Sequence, residues 1–238
     1  MPLPIIETPK YTVTIPSTQK QIEIRPYLVK EEKVLMIALE TNDSKQVLQA
    51  VKDIIRACAF EKINPNDLSI VDLEYIFLKL RAVSVGETAS VKLKCQNDSC
   101  NEMVETVIDL NSIEATRSVN VPNRIQLTEK IGVIMQPISV KAVQRLNGVE
   151  GKSQGDAVTQ MIGASIEAIF DTNEIYRAED QTPEDLTQFI DSLSSAHLNK
   201  IREWIEAQPK LAKEVDFTCK KCGKSSKLTL TGLQAFFG

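Results

Sequence analysis

Val215-Asp216-Phe217-Thr218-Cys219-Lys220-Lys221-Cys222-Gly223-Lys224 is the stretch that decides how this chain is read. An alternating segment runs into two cysteines separated by two residues, a glycine follows, and Lys227 to Leu230 alternates again. This predicts a β-hairpin with a cysteine knuckle at its tip, the glycine letting the backbone turn tightly. The same frame stands more than a hundred residues earlier: Val91-Lys92-Leu93-Lys94-Cys95 leads in, Cys100 follows after four residues, and Thr106 to Leu110 leads out. Tetrahedral Zn²⁺ takes four such ligands, and one knuckle supplies two. The economical reading is one structural zinc held by Cys95, Cys100, Cys219 and Cys222. Closing so long a loop costs entropy, so the metal would fix the topology.

Two disulfides and a redox-active CxxC are the competing readings. The opening Met1-Pro2-Leu3-Pro4 has neither the charged nor the apolar region of a secretory signal, so an oxidising compartment is not expected. A redox CxxC opens a helix, whereas Cys219 and Cys222 lie between strands. Cys58 falls on the apolar face of an expected helix and reads as core.

The chain has 238 residues, enough for one large or two small domains. No apolar run reaches the ~20 residues needed to cross a bilayer, so a soluble protein without membrane insertion is expected. The net charge of −4 argues against a dedicated nucleic-acid binder. Lys220, Lys221, Lys224 and Lys227 make the second knuckle locally basic, as expected around a tetrathiolate that carries negative charge.

The order of elements repeats. Tyr11 to Ile24 alternates around Pro16-Ser17-Thr18 as a hairpin, followed by helices to about Thr41, from Ser44 to Phe60, and after Asn64-Pro65-Asn66-Asp67. Arg124 to Gln136 alternates around Glu129-Lys130-Ile131-Gly132 as another hairpin. A short helix to Leu146, a longer one from Asp156 to Phe170, and a helical region from Thr182 to about Ala207 follow it. The expected fold is therefore α+β, with two related lobes, 1–113 and 114–238. Each reads as hairpin, helices and knuckle, and a shared four-cysteine, zinc-ribbon-like site joins them.

Catalytic constellations are missing from the pattern. His197 has no nearby cysteine or acid partner, and Glu31-Glu32 and Glu184-Asp185 sit at helix starts, where the dipole favours them. Gly148-Val149-Glu150-Gly151-Lys152-Ser153 departs from a phosphate loop in spacing and follows a helix rather than a strand. Four cysteines leave a zinc no open position. Neither an enzyme nor a small-molecule substrate is expected. Pro2-Leu3-Pro4-Ile5-Ile6 and Leu233-Gln234-Ala235-Phe236-Phe237-Gly238 read as apolar arms suited to protein contacts.

Three blocks carry a family likeness: Tyr11-Thr12-Val13-Thr14-Ile15-Pro16-Ser17-Thr18, Arg25-Pro26-Tyr27-Leu28-Val29-Lys30-Glu31-Glu32-Lys33, and Asp72 through Arg81 to Glu87. In combination they resemble the baseplate proteins of T-even-type contractile-tailed bacteriophages, in particular the hub-assembly protein of those phages and their cyanophage relatives. The second half resembles the family by length and order. The resemblance implies a structural or assembly role, as hub subunit or assembly chaperone. It implies other baseplate and tail hub proteins as partners, and a place in the host cytoplasm during assembly or in the virion tail. It supplies no catalytic residue and no metal ligand. A zinc-ribbon nucleic-acid-binding or transcription-associated factor is the alternative, and a thiol oxidoreductase the third reading.

Overall fold

A computed structural model describes residues 6–41, 43–116, 122–146 and 154–232. Residues 2–5 of the first apolar arm, the 148–153 segment and the 233–238 tail lie outside them. The fold is α+β, divided into two compact units: Met1–Thr116 with Lys210–Gly238, and Arg117–Pro209.

The first unit opens with a hairpin of β1 (Tyr11–Thr14) and β2 (Gln21–Ile24), paired antiparallel with Tyr11 opposite Ile24. Helices α1 (Val29–Glu40), α2 (Ser44–Cys58) and α3 (Ile70–Ser84) follow. Asp43 and Ser69 cap α2 and α3 by accepting from the backbone amides of Lys45 and Asp72. The Asp72 carboxylate is itself buried. It accepts from the Ser17 amide at 3.0 Å and the Ser69 hydroxyl at 2.7 Å, pinning the first hairpin's turn to α3.

Glu31 performs a similar task at the start of α1. It accepts from the Leu28 amide at 2.7 Å and pairs with Arg25 at 3.0 Å, both side chains being largely buried. Burial pushes its carboxyl up, but the Arg25 guanidinium, the Leu28 amide and Lys30 outweigh that and hold it below 4.5, its ordinary value. A carboxylate lowered on folding contributes stability that is present above its unfolded value and is lost as pH falls through the folded one. Glu31→Gln is therefore expected to flatten the acid limb of the stability curve below the ordinary carboxylate range. Chemical denaturation at a series of pH values checks this, and a variant whose acid limb matched the parent's would contradict it.

After α3 come β3 (Thr88–Lys94) and β4 (Met103–Asp109), a seven-residue antiparallel hairpin with Lys94 opposite Met103. A short β5 (Glu114–Ala115) ends this part. In the other unit, β6 (Arg124–Gln126), β7 (Gly132–Met135), β8 (Ile166–Phe170) and β9 (Ile175–Arg177) form an antiparallel sheet in that order. Helices α4 (Val140–Leu146), α5 (Gln154–Ser165), α6 (Pro183–Asp191) and α7 (Ser195–Glu206) accompany it. Its core gathers Val133, Met135, Ile162, Ile166, Ile201 and Trp204. The chain then returns to the first unit through β10 (Leu211–Thr218) and β11 (Ser225–Thr231), with β10 lying between β11 and β5. Among the described residues no helix is long and apolar enough to cross a membrane.

Two readings change, and the helical region from Thr182 gains detail. The helix expected from Asp156 to Phe170 stops at Ser165, and Ile166–Phe170 is a strand. Its alternate residues Ile166, Ala168 and Phe170 are buried, a period of two that the β-branched side chains favour. The helical region from Thr182 is two helices, because Ser194 accepts from the His197 amide and starts a new one. The lobes expected at 1–113 and 114–238 also differ from the observed units. The second cysteine hairpin packs with the first, and residues 117–209 are inserted between them. At the insertion the Thr116 amide donates to the Lys210 carbonyl at 2.9 Å, and the Lys210 amide to the Thr116 hydroxyl at 2.8 Å. Thr116 and Lys210, which flank the inserted unit, are thus neighbours, and the loop between the knuckles is already closed at its neck.

Candidate metal centre

Strand alternation aims the cysteines inward. In β3 the buried residues are Ala89, Val91 and Leu93, and Cys95 continues that phase. Val215, Phe217 and Cys219 do the same in β10, while Cys100 shares the phase of Val104 and Ile108. These side chains belong to one apolar cluster with Leu78 of α3, so the cysteines rest on a packed layer.

The two hairpin tips are closed alike. The Cys95 amide donates to the Glu102 carbonyl and the Cys219 amide to the Lys224 carbonyl, both at 2.9 Å. In the first tip the Cys100 amide donates to Asn97 at 2.8 Å. In the second the Gly223 amide donates to the Cys219 carbonyl, also at 2.8 Å, with Gly223 at φ 71°, where a side chain would be strained.

These turns bring the four sulfurs together. Sγ of Cys95 lies 3.6 Å from that of Cys222, Sγ of Cys100 lies 3.8 Å from that of Cys219, and all four fall within 4.8 Å. Cys95, Cys100 and Cys219 are buried and Cys222 is exposed; none of them is in a disulfide. Four sulfurs at about 2.3 Å from a central ion would stand about 3.8 Å apart, so the cluster has the size of a tetrahedral thiolate site. It could hold a metal ion.

Backbone amides support negative charge on the sulfurs. The amides of Asn97, Glu102 and Lys224 donate to the sulfurs of Cys95, Cys100 and Cys222, in each case from two residues on. The Lys224 amide chiefly holds the Cys222 thiol down to about 6. The Asn97 amide works the same way on Cys95, yet burial and the neighbouring sulfurs prevail and push that thiol up to about 12. Four crowded thiols cannot all ionise without a cation among them.

Lysines complete the join between the hairpins. Lys221 Nζ pairs with Glu102 at 3.2 Å, and Lys224 Nζ donates to the Gln96 carbonyl at 2.8 Å. Sequence reasoning found the four cysteines and the basic surroundings but missed Glu102 and Gln96 as their partners. The available signal was one of charge: an acid two residues past Cys100, facing the lysines between Cys219 and Cys222.

The fifth cysteine is elsewhere. Cys58 is fully buried at the end of α2, and burial pushes its thiol up to about 11. His197 lies in the first turn of α7, where its Nδ1 accepts from the Ser194 amide at 3.4 Å, a capping contact. Two surface grooves, one lined by Lys30, Val34, Asp53 and Ala57 and the other by Arg124, Gln126, Lys200 and Trp204, hold no histidine, cysteine or serine beside a base.

A thiol count separates the readings of this site. With a metal bound, no thiol of the native protein is expected to react with an alkylating reagent at neutral pH. After chelation the four clustered thiols react, and Cys58 joins them only on unfolding. Mass spectrometry after timed alkylation reads the number directly. A rapidly reacting cysteine before chelation would favour redox chemistry instead.

The model of the family described as T4 bacteriophage base plate protein matches residues 8–238. Comparison with curated proteins and with solved structures finds no match.

Proposed function

The chain belongs to the T4 bacteriophage base plate protein family, and from that premise we propose that it is a non-enzymatic component of baseplate hub assembly, acting as hub subunit or assembly chaperone. The observation that carries this reading is the family match over residues 8–238, which takes in both cysteine hairpins and the inserted unit. The chain works through contacts with other phage baseplate and tail hub proteins, meets them in the host cytoplasm during assembly, and has its place in the virion tail.

The metal in this reading is a structural Zn²⁺ on Cys95, Cys100, Cys219 and Cys222. Support comes from sulfur spacings that match a tetrathiolate and from a donor set with no vacancy for substrate or water. The order read from the sequence, hairpin, helices and cysteine hairpin, supports descent of 1–113 and 114–238 from one ancestral unit, with β8 and β9 an addition of the second. In that history the second copy has given its cysteine hairpin to the first.

The test is co-expression with neighbouring tail genes and purification of the complex that forms. A stable complex with a hub protein that survives high salt is expected. The rival nucleic-acid reading predicts binding that falls steeply with salt and is lost when Lys220, Lys221 and Lys224 become glutamate. Two of those lysines are already engaged with Glu102 and Gln96, which weighs against it. Recovery of nucleic acid with no hub protein would overturn the proposal.

A further inference from the structure

We propose that two copies of this chain pair through α1, packed antiparallel about a twofold axis that passes between Met36 and Ile37. The helix carries large apolar residues on its outer side as well as its inner one. Leu35 and Ala38 are its buried apolar residues, and it packs on α2. Outward, Val29, Met36 and Ile37 are 65%, 56% and 63% exposed, and Leu28, Val34 and Leu39 are exposed as well. A surface helix ordinarily turns a polar face to water, whereas the outward face of α1 sets large apolar side chains among Lys30, Lys33 and Glu40. Helix α2 shows the ordinary pattern in the same unit, with Lys45, Gln46, Gln49 and Asp53 on its exposed side. Six large apolar side chains exposed within 28–39 are a concentration of the kind that marks a protein contact.

The charges on this face specify what covers it. Lys33 and Glu40 are both exposed and lie two helical turns apart, on either side of Met36 and Ile37. Neither side chain has an ion-pair partner among the described residues. An antiparallel register that sets Met36 against Ile37 of a second copy also sets Lys33 against that copy's Glu40. The twofold axis forms each contact twice. The stripe is therefore complementary to itself in both apolar character and charge, as an isologous interface must be. A helix of this length spans about 18 Å, so the contact lies at the small end of specific interfaces and the dimer dissociates at micromolar concentration. This pairing does not rest on the metal site.

Sedimentation equilibrium of the full chain across the micromolar range tests it, with circular dichroism confirming that each variant is folded. The parent is expected to pass from monomer to dimer, and Met36→Glu with Ile37→Glu to remain monomeric throughout. Lys33→Glu sets like charges against each other and weakens pairing by about tenfold or more. Adding Glu40→Lys to it restores parental pairing. A parent that stays monomeric shows that another segment or another baseplate protein covers α1, and overturns the proposal. Dimers that persist in the Met36→Glu, Ile37→Glu variant, or a charge swap without rescue, overturn it equally.

Discussion

Cys219→Ser is expected to abolish stoichiometric metal binding and to destabilise the unit formed by Met1–Thr116 and Lys210–Gly238. The substitution removes a fully buried ligand whose sulfur stands 3.8 Å from that of Cys100. Structural zinc sites of this type contribute on the order of 10 kcal/mol, comparable with the stability of a whole domain. The net loss is smaller than that, because strand pairing between β10 and β5 and the neck at Thr116 and Lys210 persist without the ion. Cys58→Ala is the control: it opens a small cavity in the core but leaves the metal in place. Metal analysis of the purified proteins, together with thermal melts in the presence and absence of chelator, reads both effects. A Cys219→Ser protein that retains one metal per chain, or melts as the parent does, contradicts the assignment.

Gly132→Ala is expected to damage the other unit by about 3 kcal/mol, the upper end of what overpacking costs. Gly132 stands opposite Phe170 in the β7–β8 ladder. A Cβ there would lie 2.2 Å from Cζ of Phe170 and 2.6 Å from the Ile125 carbonyl oxygen. The ring could move, but the strand carbonyl cannot move without breaking the β6–β7 pairing. Arg124 stacks on the same ring at 3.9 Å, so moving Phe170 also disturbs a cation–π contact. The only tryptophan, Trp204, is buried in this unit's core and reports on it by fluorescence. Cobalt substituted into the cysteine site reports on the first unit by its thiolate absorption. Gly132→Ala should shift the tryptophan transition and spare the cobalt signal, with Cys219→Ser doing the reverse. Signals that move together in both variants would show that the units unfold as one.

Much of the first unit was legible because its cues are local. Alternation gave the hairpins at 11–24 and around each cysteine pair, and helical spacing gave α1, α2 and α3. Ile166 and Ile169 misled for a physical reason: residues three apart suit one face of a helix, while Ile166, Ala168 and Phe170 suit one face of a strand. Only the sheet into which β8 fits decides between the two. The insertion of residues 117–209 was hidden because the order of elements repeats. Order along the chain says nothing of β10 pairing with β5 rather than with the sheet of β6 to β9. The metal ligands were readable from spacing. Glu102, Gln96 and the buried Asp72 were not, since their partners are remote in sequence and leave no periodic trace.

The most direct measurement is X-ray absorption at the metal edge of the purified, full-length protein. Both hairpins are then expected to bind the same ion: one zinc per chain, surrounded by four sulfurs at about 2.3 Å and no oxygen or nitrogen. A first shell of fewer than four sulfurs, or no bound metal with these thiols in disulfides, would mean that the hairpins meet without sharing an ion.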